Sequence, residues 1–201
     1  MKRILATLLL ASCAFAQKQP KPLKNGLYAN FKTDFGDFRA VLFEKDTPAT
    51  VAVFVRLAQG EQPWRDPTGA TVKKPYYNDT SFFRIIKNTM IQGGSPTDDT
   101  AYNCGFTIKD EILPGLKFHA GSLAIANGGP DTGSCQFFIT TDAAPSWDGK
   151  YTIFGSVIEG QDVVNKMAAV QVHGEKPVTA PKLISLSFER VGPPPPVKKK
   201  K

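Results

Sequence analysis

The stretch Ser81-Phe82-Phe83-Arg84-Ile85-Ile86-Lys87-Asn88-Thr89-Met90-Ile91-Gln92-Gly93-Gly94 sets one arginine inside an apolar run and follows it with a second short apolar run. Side chains of a strand alternate between two faces. Phe82, Arg84 and Ile86 are therefore expected on one face, with Phe83 and Ile85 on the other. Met90 and Gln92 share a face in the same way, one apolar and one an amide. A guanidinium beside large apolar side chains is costly unless it is paired or working. On these residues alone, a satisfied structural arginine and a functional one both stand.

Working outward, Leu27 to Phe35 and Phe38 to Phe43 alternate as two strands, with Gly36 in the turn between them. Thr47-Pro48-Ala49-Thr50 opens a helix: Thr47 can cap it, and Pro48 suits its first position. Val51, Phe54, Val55 and Ala58 fall on one face, and Gly60 stops the helix. Residues 61–75 and 93–103 read as loops. Further strands are expected at Leu123 to Ala126, Phe137 to Thr141, Thr152 to Val157 and Leu183 to Glu189. A second helix is expected at Gln161 to Val170, with Val163, Val164, Met167 and Ala168 inward. Two isolated helices among about eight short strands predict a mainly β fold: a closed, eight-stranded antiparallel barrel capped by the two helices. Closure removes exposed strand edges.

The chain has 201 residues, enough for one domain with one core. Its 17 Gly and 16 Pro fit many turns and short strands. The formal charge of +7 comes from the ends: setting aside Lys2, Arg3 and Lys198 to Lys201 leaves 19 basic against 18 acidic residues. A nucleic-acid binder usually carries a basic face on its folded part, so no nucleic-acid partner is expected.

Lys2-Arg3 followed by the apolar run Ile4 to Ala11 reads as an export signal over residues 1–16, too short to span a bilayer. Two processing routes stay open. Ala14-Phe15-Ala16 would free Gln17, whereas Leu10-Ala11-Ser12-Cys13 resembles a bacterial lipobox, in which Cys13 is lipidated and anchors the chain. Either way, the expected location is outside the cytoplasm, periplasmic or membrane-anchored facing the periplasm. Residues 17–25 form a linker, 26–192 the domain, and 193–201 a Pro/Lys tail without core-forming residues.

Neither His119 nor His173 has a cysteine or acidic partner at ligand spacing, so no metal or cofactor is expected. No serine lies in a nucleophile-elbow motif. Ala126-Asn127-Gly128-Gly129-Pro130 exposes backbone in a tight loop, and Gln136 and Phe138 share a strand face. Read singly, Met90 and Phe138 fit a core equally well, and both glutamines fit a surface.

Taken together, SFFRII (81–86), MIQGG (90–94), AIANGGPDTGSCQFFIT (124–140) and DGKYTIFG (148–155), with TPATVAVFVRLAQG (47–60), resemble the cyclophilins across residues 27 to 191. The resemblance implies a cyclophilin-like barrel and peptidyl-prolyl cis/trans isomerisation of proline-containing polypeptides by a monomer. It implies that Arg84 is catalytic, that Met90, Phe138 and Tyr151 line a proline pocket, and that Gln92 and Gln136 orient the arginine or the substrate. It adds Ala126, Asn127 and Trp147 to the substrate-binding set, with Asn127 offering backbone hydrogen bonds. It also brings Cys104 and Cys135 to the rim of a neighbouring pocket, where a disulfide between them is expected. His119 is expected to be structural. The other function the same barrel could serve is a proline-peptide-binding module or holdase with little turnover. Departures from the family pattern are Thr89, where many members have a pocket phenylalanine, and Phe83, where a histidine is usual. Tyr151 replaces a histidine of eukaryotic members. Ser146 stands at the tryptophan that contacts cyclosporin in sensitive members, with Trp147 one place later.

Overall fold

In the computed structural model, which describes residues 22–196, the two N-terminal apolar runs pair as a hairpin. Strands β1 (Gly26–Thr33) and β2 (Gly36–Leu42) set Phe31 opposite Phe38, and the two rings stack at 4.4 Å. Helix α1 (Pro48–Gln59) begins at the expected proline, ends at Gly60, and buries Val51, Phe54, Leu57 and Ala58. A small hairpin, β3 (Trp64–Arg65) with β4 (Thr71–Val72), lies where only loop was expected. The chain continues through β5 (Thr80–Ser81), β6 (Arg84–Ile86), β7 (Met90–Gly93), β8 (Ser122–Ile125) and β9 (Phe137–Thr140). After these come β10 (Ile153–Glu159), α2 (Gln161–Ala168), β11 (Val172–His173), β12 (Lys176–Pro177) and β13 (Lys182–Val191). The segment read above as an export signal, with Cys13, and the terminal lysines lie outside the described residues.

Nine strands make one antiparallel sheet in the order β5-β13-β1-β2-β10-β8-β9-β7-β6. It curls into a half-barrel whose ends do not join. The closed eight-stranded barrel expected above is thus corrected to an open nine-stranded sheet. The reason lies in the backbone between the two ends. The end strands β5 and β6 are consecutive pieces of one run, separated only by Phe82 and Phe83, and neither residue takes the positive φ that a two-residue hairpin turn needs, so the pieces run on instead of folding back side by side. Their edge groups are satisfied from elsewhere: the Phe82 N–H donates to the Pro181 carbonyl at 2.9 Å, and the Ile85 N–H to the Glu175 carbonyl at 2.7 Å. The break also corrects the expected facing of Phe82. It does not share a face with Arg84 but enters the core, edge-on to Phe137 at 6.0 Å.

The core fills the concave side of the sheet. Phe54 of α1 lies at its centre, 4.9 Å from the Tyr77 ring, 5.0 Å from Phe154 and 5.5 Å from Phe137. Such aromatic pairs add about 0.5–1.5 kcal/mol beyond the area they bury. Helix α2 buries Val163, Val164, Met167 and Ala168, the four residues that the spacing turns inward.

The start of α1 is capped differently from expectation. The Thr47 hydroxyl makes no cap bond and donates instead to the Phe43 carbonyl at 3.2 Å. The Glu111 carboxylate, 61 residues from Thr50, accepts from the N–H of Ala49 (3.1 Å) and of Thr50 (2.8 Å). It satisfies two orphan donors and places negative charge at the positive end of the helix. Replacing Glu111 by alanine is expected to cost about 1 kcal/mol and lower the unfolding midpoint by about 3 °C. Thermal unfolding of the two proteins checks this, and an unchanged midpoint would contradict the capping role.

Candidate active site

The register across four adjacent strands sets two rows of residues back to back. The inner row, Ile85, Ile91, Ile139 and Leu123, belongs to the core. The outer row is Arg84, Gln92, Phe138 and Ala124. Period-two alternation therefore delivers a charge, an amide and an aromatic ring to one convex patch while four apolar neighbours anchor it from behind.

Arg84 is a pure donor and keeps its charge. Its Nη1 donates to Gln92 Oε1 at 3.0 Å, and its Nε to Glu175 Oε2 at 2.6 Å. With its oxygen engaged, Gln92 turns its NH2 to Gln136 Oε1 at 2.8 Å. Gln136 in turn donates to the carbonyls of Asp99 (3.0 Å), Thr100 (3.3 Å) and Tyr102 (2.7 Å). Gln92 and Gln136 are only 4% and 5% exposed, so these bonds replace those that water would otherwise make. The two glutamines divide the work: Gln92 holds the arginine, and Gln136 holds Gln92 and the 99–102 loop. Behind the end of β7, Gly94 sits at φ +83° with its Cα so close to the next strand that an added Cβ would lie 2.7 Å from the Cys135 carbonyl. Only glycine allows that approach.

Beside the arginine lies an apolar patch. Phe138 is ringed by Phe118, stacked at 5.7 Å, Trp147, edge-on at 5.4 Å, and Tyr151, edge-on at 5.2 Å. Met90, Ala124 and Ile153 pack beneath. Trp147 comes from a single 3-10 turn, Pro145–Trp147. The next residue, Asp148, accepts from the Phe118 N–H at 2.9 Å and pairs with Lys117 at 3.3 Å. That carboxylate ties the loop segment carrying Phe118 to the turn carrying Trp147. Arginine and aromatics together wall an open cavity of about 700 Å³.

All nine residues expected in the catalytic and binding set reach this cavity: Arg84, Met90, Gln92, Ala126, Asn127, Gln136, Phe138, Trp147 and Tyr151. The Asn127 side chain donates to the Lys150 carbonyl at 3.1 Å, which fixes the loop and leaves its backbone at the cavity wall. Ile86 and the 100–103 segment also line the cavity, and Phe118 supports it. Sequence reasoning missed Phe118 because the alternation Leu116-Lys117-Phe118 is only three residues long, between Pro114-Gly115 and Ala120-Gly121, too short to mark an element, and it forms no strand. Thr89 stays off the cavity wall; its hydroxyl donates to the Lys87 carbonyl at 3.3 Å. Ser146 is exposed, and Trp147 takes the wall position. His119 is exposed, with Nδ1 against its neighbour's carbonyl at Ala120, 2.8 Å away.

The disulfide expected between Cys104 and Cys135 is corrected: both are buried free thiols. Their closeness does hold, since both sulfurs reach the Ser134 hydroxyl, Cys104 at 3.2 Å and Cys135 at 3.8 Å. Cys135 Sγ also accepts from the Tyr76 hydroxyl at 3.0 Å. Burial pushes the Cys104 thiol well above its ordinary value, so the reactive thiolate is disfavoured.

A family model described as cyclophilin type peptidyl-prolyl cis-trans isomerase/CLD matches residues 28–187. The peptidyl-prolyl cis-trans isomerase B of Streptomyces anulatus is 41% identical over 147 residues, 71% of this chain and 84% of that protein. The peptidyl-prolyl cis-trans isomerase-like 1 of Aspergillus fumigatus is 40% identical over 161 residues, 77% of this chain and 90% of that protein. A crystal structure of a Cryptosporidium parvum cyclophilin type peptidyl-prolyl cis-trans isomerase, in the presence of the dipeptide Ala-Pro, superposes with a TM-score of 0.70 at 29% identity. It covers 82% of this chain and 99% of that one.

Two measurements test the geometry itself. The N–H of Phe118 and the Lys117 ammonium hold the Asp148 carboxyl below its ordinary value of 3.8. A carboxyl depressed in the fold stabilises it fully above the unfolded pKa and loses that contribution as pH falls through the folded one. Trp147 fluorescence is therefore expected to stay flat down to about pH 4 and to change below 3.8, a step that Asp148→Asn removes. A step near neutral pH would contradict the assignment. Cys104 and Cys135, 1% and 0% exposed, are expected to resist a thiol reagent in the folded protein and to react fully in denaturant. Prompt reaction in the fold, or no free thiol in the denatured unreduced chain, would contradict the buried dithiol.

Proposed function

The chain belongs to the cyclophilin family of peptidyl-prolyl cis-trans isomerases, and we propose that it rotates X-Pro bonds in polypeptides handled outside the cytoplasm, with Arg84 as the catalytic residue. The observation that carries the assignment of Arg84 is its position: a guanidinium anchored by Gln92 at the edge of an aromatic pocket.

The barrier to rotation is about 18–20 kcal/mol and comes from amide resonance. No covalent bond breaks, so neither a nucleophile nor a metal is required. As the bond twists, conjugation is lost and the lone pair returns to the proline nitrogen. A fixed donor that bonds the twisted amide better than the planar one lowers the barrier by differential binding. Arg84 supplies that donor. Phe138, Met90, Trp147 and Tyr151 clasp the apolar ring and hold it still while the carbonyl before it turns. Asn127 offers backbone bonds to the residues preceding proline. Crystallisation of the Cryptosporidium relative with Ala-Pro supports a proline peptide as ligand.

Lys2-Arg3 and the apolar Ile4 to Ala11 support export, with Cys13 as the candidate lipid anchor. Uncatalysed X-Pro exchange takes tens of seconds, which is slow enough to limit the folding of secreted chains. The expected role is therefore as a foldase for such chains.

The test is isomerisation of an X-Pro peptide by wild type and by Arg84→Ala. Loss of one preorganised donor is expected to reduce kcat/KM by about 100-fold or more, with the fold retained. A variant within about 2-fold of wild type would remove Arg84 from the catalytic role. A folded wild type that binds the peptide without accelerating exchange would leave a binding module instead.

A further inference from the structure

We propose that Glu175 is a positioning residue for catalysis: it grips the Nε edge of Arg84 and so aims the rest of the guanidinium into the cavity. This rests on the isomerase reading above.

Glu175 lies 91 residues from Arg84 in sequence, at the tip of the β11–β12 hairpin. That tip is a two-residue turn, Gly174-Glu175, between His173 and Lys176. Gly174 supplies the positive φ, +63°, that such a turn needs. The hairpin docks on β6 through its backbone: the Ile85 N–H donates to the Glu175 carbonyl at 2.7 Å. Docking leaves the Glu175 side chain beside the residue preceding Ile85, and its Oε2 meets Arg84 Nε at 2.6 Å.

A guanidinium is a rigid planar fork with five N–H groups. One anchor leaves it free to swing; two anchors on different edges define its plane. Here Nε is held by Glu175 and Nη1 by Gln92. The remaining Nη donors are left to face the cavity that Arg84 lines. The pair is half exposed, the side chains being 34% and 52% accessible. Exposed pairs contribute little to stability. The benefit of this one falls on orientation, where small misplacements of a catalytic group are costly. Glu175 touches neither ring pocket nor reacting amide, so it acts through Arg84 alone.

Glu175→Ala removes the carboxylate and leaves the backbone bond to Ile85 in place. In NMR exchange measurements with a saturating X-Pro peptide, kcat is expected to fall about 5-fold while KM stays within about 2-fold. The unfolding midpoint should move by no more than about 2 °C. Glu175→Gln, whose amide oxygen still accepts from Nε, should recover at least half of the lost rate. The Arg84 Nε–Hε resonance should shift in the alanine variant. In an Arg84→Ala background, Glu175→Ala should have no further effect. Unchanged kcat in Glu175→Ala, or an equal loss in the Arg84→Ala background, overturns the proposal. If wild type itself fails to accelerate exchange, the isomerase reading fails. The Arg84 Nε–Hε signal then decides the contact separately, and a signal unmoved by Glu175→Ala overturns it.

Discussion

A guanidinium, which carries donors only, sits on a largely buried sheet face beside an aromatic patch, and every donor it turns inward needs an acceptor. That requirement runs through the site in one direction. Arg84 can only donate, so Gln92 must offer its oxygen; the Gln92 NH2 must then find an acceptor, which is the oxygen of Gln136. The Gln136 NH2 finds three carbonyls of the 99–102 segment. Breaking any link would strand a buried polar group, at a cost of about 1–3 kcal/mol. The position of the loop across the cavity from the arginine thus follows from the charge of the arginine.

The same patch depends on what lies behind it. Four aliphatic residues, Ile85, Ile91, Ile139 and Leu123, face the core directly behind Arg84, Gln92, Phe138 and Ala124. Close packing makes the inner layer resistant to distortion, and the outer layer inherits its rigidity. A reaction that rotates one bond without breaking it draws its rate from fixed donors and a fixed wall, so a site on strands serves it better than one on a mobile loop.

The aromatic wall draws its rings from several separate segments of the chain. Thr89 turns its hydroxyl to the Lys87 carbonyl and stays off the cavity wall. Apolar surface comes instead from Phe118 stacked on Phe138, with Trp147 and Tyr151 edge-on. Asp148 joins two of these contributors by one hydrogen bond. Ser146 is exposed beside Trp147, so the 3-10 turn presents the ring one residue later without losing the wall.

Much of this was legible in the residues themselves. Period-two alternation identified the strands and set Gln92 beside Met90 and Phe138 beside Gln136. The 3.6-residue period found both helices and the buried face of α2. The resemblance to the cyclophilins, carried by the motifs and their order, implied a catalytic role for Arg84, which the residues alone had left open. The rest depended on partners distant in the chain. Phe82 left its expected face because its run splits between two ends of one sheet, and that split also keeps the sheet open. Glu111, not Thr47, caps α1 from 61 residues away. The two cysteines, 31 residues apart, are brought together as buried free thiols. Local periodicity, being a property of neighbouring residues, determined strands and helices, and the family resemblance of the motifs implied the catalytic candidates. Glu175 meets Arg84 across 91 residues, and a contact of that kind is decided only when the tertiary fold brings the hairpin to the strand.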